Sequence, residues 1–256
     1  MKYSETSTNA QPAGELRTAL VTEIQLEGLP PDMQRYLNYS QVVDKEVITS
    51  VRLKQEGTYR TQPGQKWFPM VAEQYITTAP PGFTWHMISH PLPLISLSVT
   101  DQFHDGHGNL RVKLWSFLTL GNASGPEMDQ GELQRYLGEM AWYPTAWLSN
   151  TIELRAVDTH MVQATLRQKD VSATAVLHFN EQGQIARVTM ERYMEANGRY
   201  ELNPWSGEFY GYKQVDGMWI PTRFEITWHL ASGDFTWLVS ELIEIEFNQS
   251  GKVMKF

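Results

Sequence analysis

Residues 122–148 form the only strongly helical segment of a chain whose other segments carry the patterns of strands and turns. Two helix-start patterns overlap in this segment: Ser124 is followed three positions later by Glu127, and Asp129 in the same way by Glu132. A capping residue with a glutamate at that spacing can satisfy the free amide groups of a first helical turn. We therefore interpret Glu127 and Asp129 as helix caps.

The helix is predicted over residues 128–140. Glu132 and Arg135 lie three positions apart on one face of it and are predicted to form an ion pair. Because strand patterns stand on both sides of this helix, we expect it to plug or cover the opening of a curled sheet. The helix is directly followed by three aromatic residues, Trp142, Tyr143 and Trp147.

Strand patterns occupy most of the remaining chain. Val51 and Leu53 alternate with polar residues, which is the period-two pattern of a strand with two different faces. Turn residues such as Asp216-Gly217 separate these runs, and strands joined by short turns pair antiparallel. The predicted strands cover about residues 47–54, 67–78, 83–90, 94–103 and 110–120 before the helix, and 151–157, 160–168, 171–179, 185–194, 208–214, 218–228 and 235–247 after it.

About a dozen strands are too many for one flat twisted sheet. The fold class is therefore predicted as mainly β: an antiparallel, strongly curled sheet forming an open or closed barrel, with one inserted helix plugging or covering it. Pro30 and Pro31 open a short N-terminal helix. We expect a polar N-terminal segment over residues 1–22 and a single barrel-like domain over residues 23–256.

The charge of the chain limits its partners. Lys plus Arg number 21 against 29 Asp plus Glu, which gives a formal net charge of −8. Nucleic acid and anionic membrane surfaces are therefore poor partners. No stretch approaches the roughly 18 apolar residues of a membrane-spanning helix, and no secretory signal is visible. We expect a soluble, cytoplasmic protein, although a protein whose export signal has been removed would look the same.

Metal and thiol chemistry are weakly supported. The chain has no cysteine, which excludes disulfides, thiolate metal sites and a thiol nucleophile. The HDGHG segment places His104 and His107 near Asp101 and Asp105, a set of donors that suits a metal ion. Asp-Gly and Gly-Asn are hairpin-turn dipeptides, however, and favour a solvated turn. We predict a turn there, and neither a metal nor an organic cofactor.

Acids that interrupt the apolar side of a strand are the strongest candidates for chemistry. Burial raises the pKa of a carboxyl group toward the range of a general acid or base. Alternation places Glu73 on one side of its strand with Val71 and Tyr75, and it places Asp101 on an apolar side as well. His86 belongs to the right class for proton transfer near neutral pH. A salt bridge on a strand whose other face is buried is the alternative interpretation.

Aromatic residues are predicted to form the walls of a ligand pocket, with core packing as the alternative for each of them. Trp205 and Tyr210 flank a predicted tight turn at Ser206-Gly207, which would set Glu208 beside aromatic surface. The predicted substrate-binding residues are Trp67, Tyr75, Trp142, Trp205, Glu208 and Trp228.

The blocks AEQYITT, ASGPEMDQGELQRYL and PWSGEF resemble, in the same order, those of a widespread bacterial family of unknown function. The resemblance extends over about residues 29–247. It implies no catalytic residues, because none is settled for the family. Many members carry apolar segments near the N-terminus, which this chain lacks. The order of bent strands with a helix midway is also similar to lipoprotein-carrier half-barrels, at the level of fold alone.

The leading functional hypothesis is a cofactor-independent enzyme that moves protons on a hydrophobic, aromatic or polycyclic small molecule, as an isomerase, cyclase or lyase does. Glu73 and Asp101 would act as bases, and His86 as their acid partner. The alternative is a non-catalytic carrier of a lipid or hydrophobic metabolite, with the helix as a lid. A structural interaction domain is the third possibility, and the oligomeric state is left open.

Overall fold

The computed structural model of the protein describes residues 19–196 and 198–249. Residues 1–18, which make up most of the predicted polar N-terminal segment, lie outside the described residues. Within the described ranges, no helix is both long enough and apolar enough to cross a lipid bilayer.

The first α-helix, α1, spans Pro31–Tyr39 and corresponds to the predicted short N-terminal helix. Met33, Tyr36 and Leu37 recur at helical spacing, and all three are buried. The hydroxyl of Tyr36 donates a hydrogen bond to the carbonyl oxygen of Ala141 at 3.2 Å. This bond connects α1 to the segment that follows the second helix, inside the molecule.

The second α-helix, α2, spans Pro126–Glu139 and begins before the predicted residue 128. Neither predicted capping pattern forms, because Gly125 takes the cap position and makes no side-chain cap hydrogen bond. Pro126 needs no partner for an amide hydrogen in the first turn. The predicted role of Asp129 as a cap is wrong, since its Oδ1 accepts a hydrogen bond from the backbone N–H of Gly108 at 2.7 Å.

Thirteen strands, counted within the described residues, form one antiparallel sheet. They are β1 (Ser50–Tyr59), β2 (Phe68–Thr78), β3 (Pro81–Leu92), β4 (Ile95–His104), β5 (His107–Leu114), β6 (Leu118–Ser124), β7 (Ile152–Asp158), β8 (Met161–Gln168), β9 (Val171–Phe179), β10 (Ile185–Ala196), β11 (Arg199–Val215), β12 (Met218–Leu230) and β13 (Gly233–Phe247).

The strand order is β6-β5-β4-β3-β2-β1-β13-β12-β11-β10-β9-β8-β7. Each strand pairs with its neighbours along the chain, except at the centre, where β1 pairs with β13. We call β1–β6 the first wing and β7–β13 the second wing. The edge strands β6 and β7 are the two strands that α2 connects, so the sheet is open. The predicted mainly β, antiparallel fold with an inserted helix is confirmed in this open form.

The sheet has an inner face that meets α2 and an outer face turned away from it. On β1, the side chains of Val51, Leu53 and Gln55 are buried, whereas Arg52 and Lys54 point outward. Successive side chains of a strand point to opposite faces, so this alternation sorts apolar residues inward. The sidedness that the sequence pattern predicts for β1 is therefore confirmed.

Aromatic side chains that follow α2 fill the interior of the curled sheet. Trp142 and Trp147 belong to two short 3-10 segments, Met140–Trp142 and Pro144–Leu148, and Tyr143 lies between them; each of the three is at most 1% exposed. The ring of Trp142 meets that of Phe224 edge to face, with 4.9 Å between centroids. This part of the chain acts as a plug of the sheet.

The helix α2 bridges the two wings by packing on β5 and β9. At Gly108 of β5 the helix backbone approaches so closely that an added Cβ would lie 2.6 Å from the carbonyl oxygen of Met128. On the other side, Nε2 of Gln130 donates to the carbonyl oxygen of Ser172 of β9 at 3.3 Å. Both wings are therefore attached to one rigid element.

The prediction of one strand over residues 110–120 is wrong. The chain reverses between Leu114, where β5 ends, and Leu118, where β6 begins. Two residues of this turn have positive φ angles, which favour glycine, asparagine or aspartate. Here Trp115 and Ser116 occupy these positions, so no turn residue in the sequence indicates the reversal.

The predicted tight turn at Ser206-Gly207 is also wrong, because both residues lie within the long strand β11. The glycine has a packing reason instead. An added Cβ at Gly207 would lie 3.3 Å from a ring carbon of Trp205, which folds over this position. The strand predicted over residues 208–214 therefore begins earlier than expected.

Candidate functional site

A buried charge cluster lies between α2 and the inner face of the sheet and consists of Asp101, Glu132, Arg135, Glu139 and Arg192. Arg135 stands at its centre. Its Nη1 lies 2.6 Å from Oδ2 of Asp101, and its Nε lies 2.8 Å from Oε1 of Glu139. The predicted ion pair between Glu132 and Arg135 is therefore corrected: the close carboxylate partners of Arg135 are Asp101 and Glu139. The helix presents these groups because residues three and four apart share a face.

Aromatic rings hold both arginines of the cluster. The guanidinium carbon of Arg135 lies 4.7 Å from the ring centroid of Trp85 and 4.9 Å from that of Phe83. On the second wing, the guanidinium carbon of Arg192 lies 5.2 Å from the centroid of Trp205, and its Nη2 donates to a carbonyl oxygen of α2 at 2.8 Å. Such contacts are stronger where water is excluded. An arginine therefore links α2 to each wing.

Glu132 is the member of the cluster whose surroundings most favour the protonated carboxyl. Burial raises the pKa of the Glu132 carboxyl well above its usual range, and the charge of Asp101 raises it further, against the opposing effect of Arg135 and Arg192. The cluster thus contains three carboxyl groups and two guanidinium groups in a buried space, and among the described residues Glu132 is the carboxyl group without an arginine in direct contact.

The raised pKa predicts a dependence of stability on pH. The folded protein holds the Glu132 proton more tightly than the unfolded chain does, so its free energy of unfolding is penalised as the pH rises above the unfolded pKa of about 4.3. We expect Glu132→Gln, which stays neutral, to gain in stability relative to the parent between pH 4 and pH 8. Urea unfolding at both pH values measures this difference. Glu153→Gln, at an exposed glutamate, is the control, and its stability relative to the parent should be the same at both pH values. The same result for Glu132→Gln would contradict the prediction.

A cleft of about 670 Å³ opens between β9 and β10. These strands pair only from Ile185 to Thr189 of β10 and then diverge. The helix α2 forms part of the floor, and Nε2 of Gln134 donates to the carbonyl oxygen of Glu191 at 2.7 Å, where β9 no longer supplies a partner. The cleft therefore arises from the separation of β9 and β10 beyond Thr189.

The cleft has an apolar wall and a polar end. At the polar end, Nη2 of Arg187 lies 3.3 Å from Nε2 of His229. Thr189 lies beside them on β10. Such a site suits a ligand that is apolar over most of its length and polar at one end. The apolar wall consists of Val176, Met190, Tyr193, Leu202, Pro204 and Trp205.

Ser206, His229 and Asp234 follow the hydrogen-bond order of a hydrolase triad beside this polar end. Nε2 of His229 lies 2.9 Å from Oγ of Ser206, and Nδ1 lies 2.8 Å from Oδ1 of Asp234. Ser206 is only 1% exposed and lies between Thr189 and Thr227 of the neighbouring strands, where backbone N–H groups belong to the sheet. The arrangement therefore lacks an accessible nucleophile and free oxyanion donors.

Apart from Nε of Arg187, which faces the Glu208 carboxylate at 2.9 Å, two polar atoms of the described residues that border the cleft have no hydrogen-bond partner. They are Oε1 of Gln134 and Nε1 of Trp205, and the two residues are 4% and 5% exposed. Buried polar atoms are hydrogen-bonded in most folded proteins, so each such atom calls for an explanation. A polar group of a ligand in the cleft would supply one.

The prediction that Glu73 lies inside the cavity is wrong. Glu73 points to the outer face of β2, because the inner positions of this strand are taken by Met70, Ala72 and Gln74. Its Oε1 lies 2.6 Å from both Nε and Nη2 of Arg52. This is the salt bridge that the sequence left as the alternative.

His86 meets Glu73 as a cross-strand neighbour, but on the same outer face. Burial lowers the pKa of His86, and Lys113 lowers it further, against the opposing effect of Glu73. Asp101 does face the interior and is 5% exposed, as strand alternation predicts. The sheet therefore separates Asp101 from the other two proposed catalytic residues, and the three cannot meet one substrate.

Three of the predicted wall residues lie inside the sheet. Trp142 is 1% exposed and belongs to the plug, whereas Trp205 borders the cleft. Trp228 is partly buried and pairs with Trp205 across β11 and β12. Of these three, Trp205 is the one that contacts open space in the cleft.

The other three predicted wall residues do not line an interior pocket, which corrects the prediction. Trp67 lies before β2 with the guanidinium carbon of Arg60 4.5 Å from its ring centroid. The hydroxyl of Tyr75 accepts a hydrogen bond from Nε of Arg52 on the outer face. Glu208 pairs with Arg187 at 2.9 Å, and burial raises the pKa of the Glu208 carboxyl.

The HDGHG segment forms the turn that the sequence favours. Asp105 and Gly106 both have positive φ angles, at 56° and 88°, and connect β4 to β5. Asp105 forms an ion pair with Lys169 of the second wing. Within residues 19–196 and 198–249, no group of three or more histidines and acids is placed to hold a metal ion.

Gln134 and Arg192 belong to the site but are not among the residues predicted from the sequence. Arg192 shares a strand face with Val188 and Met190, which are buried, so it interrupts an apolar pattern as Asp101 does. That signal was available. The sequence contains no comparable signal for Gln134, because the role of Gln134 depends on the divergence of β9 and β10.

The chain is similar to a described protein family. A family model described as a family of unknown function (DUF6544) matches residues 19–240. The resemblance to a family of unknown function, which the sequence blocks indicated, is thereby confirmed. No curated protein matches the chain.

Three solved structures are similar to this chain at low sequence identity. A putative outer membrane lipoprotein-sorting protein domain from Vibrio parahaemolyticus has 12% identity and a TM-score of 0.45, with 80% of this chain and 87% of that chain covered. A DUF1329 family protein from Desulfovibrio piger has 11% identity and a TM-score of 0.47, with 86% and 93% covered. A LolA superfamily protein from Nitrosomonas europaea has 11% identity and a TM-score of 0.40, also with 86% and 93% covered. At these scores the similarities carry no conclusion about ligand or activity.

Proposed function

We propose that this chain, which belongs to a family of unknown function (DUF6544), is a non-catalytic binding protein. Its ligand would be a largely apolar small molecule with one polar end. The cleft between β9 and β10 is the site. Its volume of about 670 Å³ falls within the roughly 300–1,000 Å³ that small-molecule sites occupy. This cleft is the observation that carries the proposal.

The chemistry of the cleft supports an amphipathic ligand. The apolar part of the ligand would lie against Tyr193, Leu202 and Trp205, which excludes water from it. The polar part would lie at Arg187, whose guanidinium can donate to a carboxylate, phosphate or sulfonate in competition with Glu208. A lipid or a hydrophobic metabolite acid has this composition.

Two observations favour binding over acid–base catalysis. Asp101 and Glu132 form a buried acid pair, but they lie in the buried charge cluster, and neither belongs to the cleft lining. Glu73 and His86 lie on the outer face of the first wing, whereas the cleft belongs to the second wing. The cleft therefore takes its ligand without the residues that the enzyme hypothesis requires.

A blocking variant tests the proposal. Thr189 borders the cleft and is partly buried, so Thr189→Trp should fill the space. The probe is 1-anilinonaphthalene-8-sulfonate, which has an apolar body and an anionic end, and its fluorescence gives the affinity. We expect Thr189→Trp to lower the affinity at least about tenfold, equivalent to about 1.4 kcal/mol. Thr58→Trp, at a partly buried strand position on the first wing, is the matched control and should bind as the parent does.

A charge variant locates the polar end of the ligand. Arg187→Met should weaken binding of the anionic probe but leave an uncharged naphthalene probe unaffected. Equal affinity of the parent and Thr189→Trp would refute the cleft as the site. Native mass spectrometry of protein purified from its own host would identify the bound molecule. If incubation of that molecule with the protein yielded a chemically converted product, the enzyme alternative would be favoured.

A further inference from the structure

Two hairpin ends of the first wing carry exposed apolar side chains. Leu94 in the β3–β4 turn is 94% exposed, and Phe117 in the β5–β6 turn is 77% exposed. Trp115 joins the two turns, since its Nε1 donates to the carbonyl oxygen of Leu94 at 2.7 Å and its ring stacks on Phe117 at 6.2 Å between centroids. We call this surface the apolar tip. It comprises Leu92, Leu94, Trp115, Phe117, Leu118 and Leu120, all exposed.

The β5–β6 turn keeps these residues against the preference of its backbone. Trp115 and Ser116 have φ angles of 50° and 64°, a region that favours glycine, asparagine and aspartate. Two successive positive φ angles also occur in the two-residue turn between β11 and β12, where Asp216 and Gly217 have φ angles of 48° and 77°. Foldability alone would therefore favour Asp-Gly at the tip as well. Residues that are unfavourable for the backbone conformation of an exposed turn indicate that their side chains have a function.

The β3–β4 turn shows the same departure from backbone preference. Leu94 follows Pro93 and has a φ angle of 66°. Glycine or asparagine is the usual residue at a positive φ angle after a turn proline. Leu94 is almost fully exposed, so no packing within the chain compensates for its backbone strain.

The charge around the tip differs from that of the whole chain. Residues 81–124 contain two carboxylates: Asp101 pairs with Arg135 in the interior, and Asp105 pairs with Lys169 at the opposite end of the strands. Arg111 and Lys113 stand on β5, close to the turn. The net charge of −8 is therefore carried elsewhere: residues 81–124 have a formal charge of zero, and the charged residues on the strand that leads into the tip turn are the cations Arg111 and Lys113.

We propose that the apolar tip docks on the surface of an anionic lipid bilayer. The tryptophan, phenylalanine and leucine side chains enter the boundary between headgroups and acyl chains, where aromatic residues are favoured. Arg111 and Lys113 then contact anionic headgroups. This proposal departs from the expectation, based on the net charge of the whole chain, that anionic membranes are poor partners. A second copy of the chain fits less well, because a symmetric tip-to-tip contact would bring the same cations together.

The docking is tested by co-sedimentation of the full chain with vesicles of phosphatidylcholine alone and of phosphatidylcholine with phosphatidylglycerol. We expect binding to the mixed vesicles, weakened at least about tenfold in Trp115→Asp/Ser116→Gly, which places the Asp-Gly pair in this turn. The thermal midpoint of this variant should not fall, because the new residues suit the backbone. Leu94→Gly provides a second variant with the same expectations. Ile243→Asp, at an exposed apolar residue outside the tip, is the control and should bind as the parent does.

The charge contribution is measured separately. Arg111→Gln/Lys113→Gln should remove the preference for phosphatidylglycerol. The proposal is overturned if the parent binds neither kind of vesicle, or if the Asp-Gly variant binds as the parent does. Concentration-dependent dimerisation that the Asp-Gly variant abolishes, without vesicle binding, would assign the tip to a second copy. The cleft variant Thr189→Trp should retain vesicle binding, so this test and that of the ligand cleft fail independently.

Discussion

Replacing Arg135 with methionine is expected to lower the free energy of unfolding by about 3–5 kcal/mol, the cost of removing one partner from a buried ion pair. The substitution leaves Asp101 and Glu139 without the guanidinium that lies 2.6 and 2.8 Å from them. It also removes the cation from the rings of Trp85 and Phe83. Urea or guanidinium unfolding followed by circular dichroism measures the loss.

Two further variants show whether the loss comes from burial of charge. Arg167→Met breaks an ion pair with Glu153 whose side chains are 61% and 65% exposed, and it should cost at most about 1 kcal/mol. Adding Asp101→Asn to Arg135→Met should recover part of the loss, since it removes one uncompensated charge. If Arg135→Met cost no more than Arg167→Met, the buried charge cluster would not be stabilising the helix against the sheet.

Trp142→Ala is expected to destabilise the protein by about 3–5 kcal/mol, as truncation of a large core side chain does. The side chain is 1% exposed and packs edge to face on Phe224, so its loss leaves a cavity in the plug. Denaturant unfolding measures the change. Trp115→Ala, at a tryptophan that is 44% exposed, should cost at most about 1.5 kcal/mol, mainly through loss of its hydrogen bond to Leu94.

The same variant separates the plug from the ligand wall that the sequence suggested. If Trp142 contacted ligand, Trp142→Ala would weaken probe binding strongly at temperatures where the variant stays folded. We expect near-parent affinity there, because the cleft wall is formed by other residues. A large affinity loss with little change in stability would contradict the assignment.

The sequence predicts the architecture well because its signals are local. Alternation along a strand and the spacing within α1 and α2 depend on which residues avoid water, and that information is present in short windows. The break between β5 and β6 was missed because Trp115 and Ser116 are not turn residues. It is a place where the chain departs from the backbone preference that sequence rules use.

The site was harder to predict because alternation shows that a strand has two faces without telling which face is the inner one. On β2, Val71 and Tyr75 suggest one face, whereas Met70 and Ile76 suggest the other. The structure turns the second set inward, and Glu73 goes outward with the first. The partners of Arg135 and the divergence of β9 from β10 depend on contacts between distant parts of the chain, which no short window contains.

The pairing of β1 with β13 has consequences for the order in which the sheet can form. Each wing is a series of neighbouring hairpins that can assemble from nearby residues, but the junction between them joins strands from opposite ends of the described chain. During synthesis, β13 is the last of these strands to leave the ribosome. Until it arrives, β1 and β12 each expose a free strand edge at what becomes the middle of the sheet. The pairing at the centre of the sheet is therefore the last strand pairing that can form.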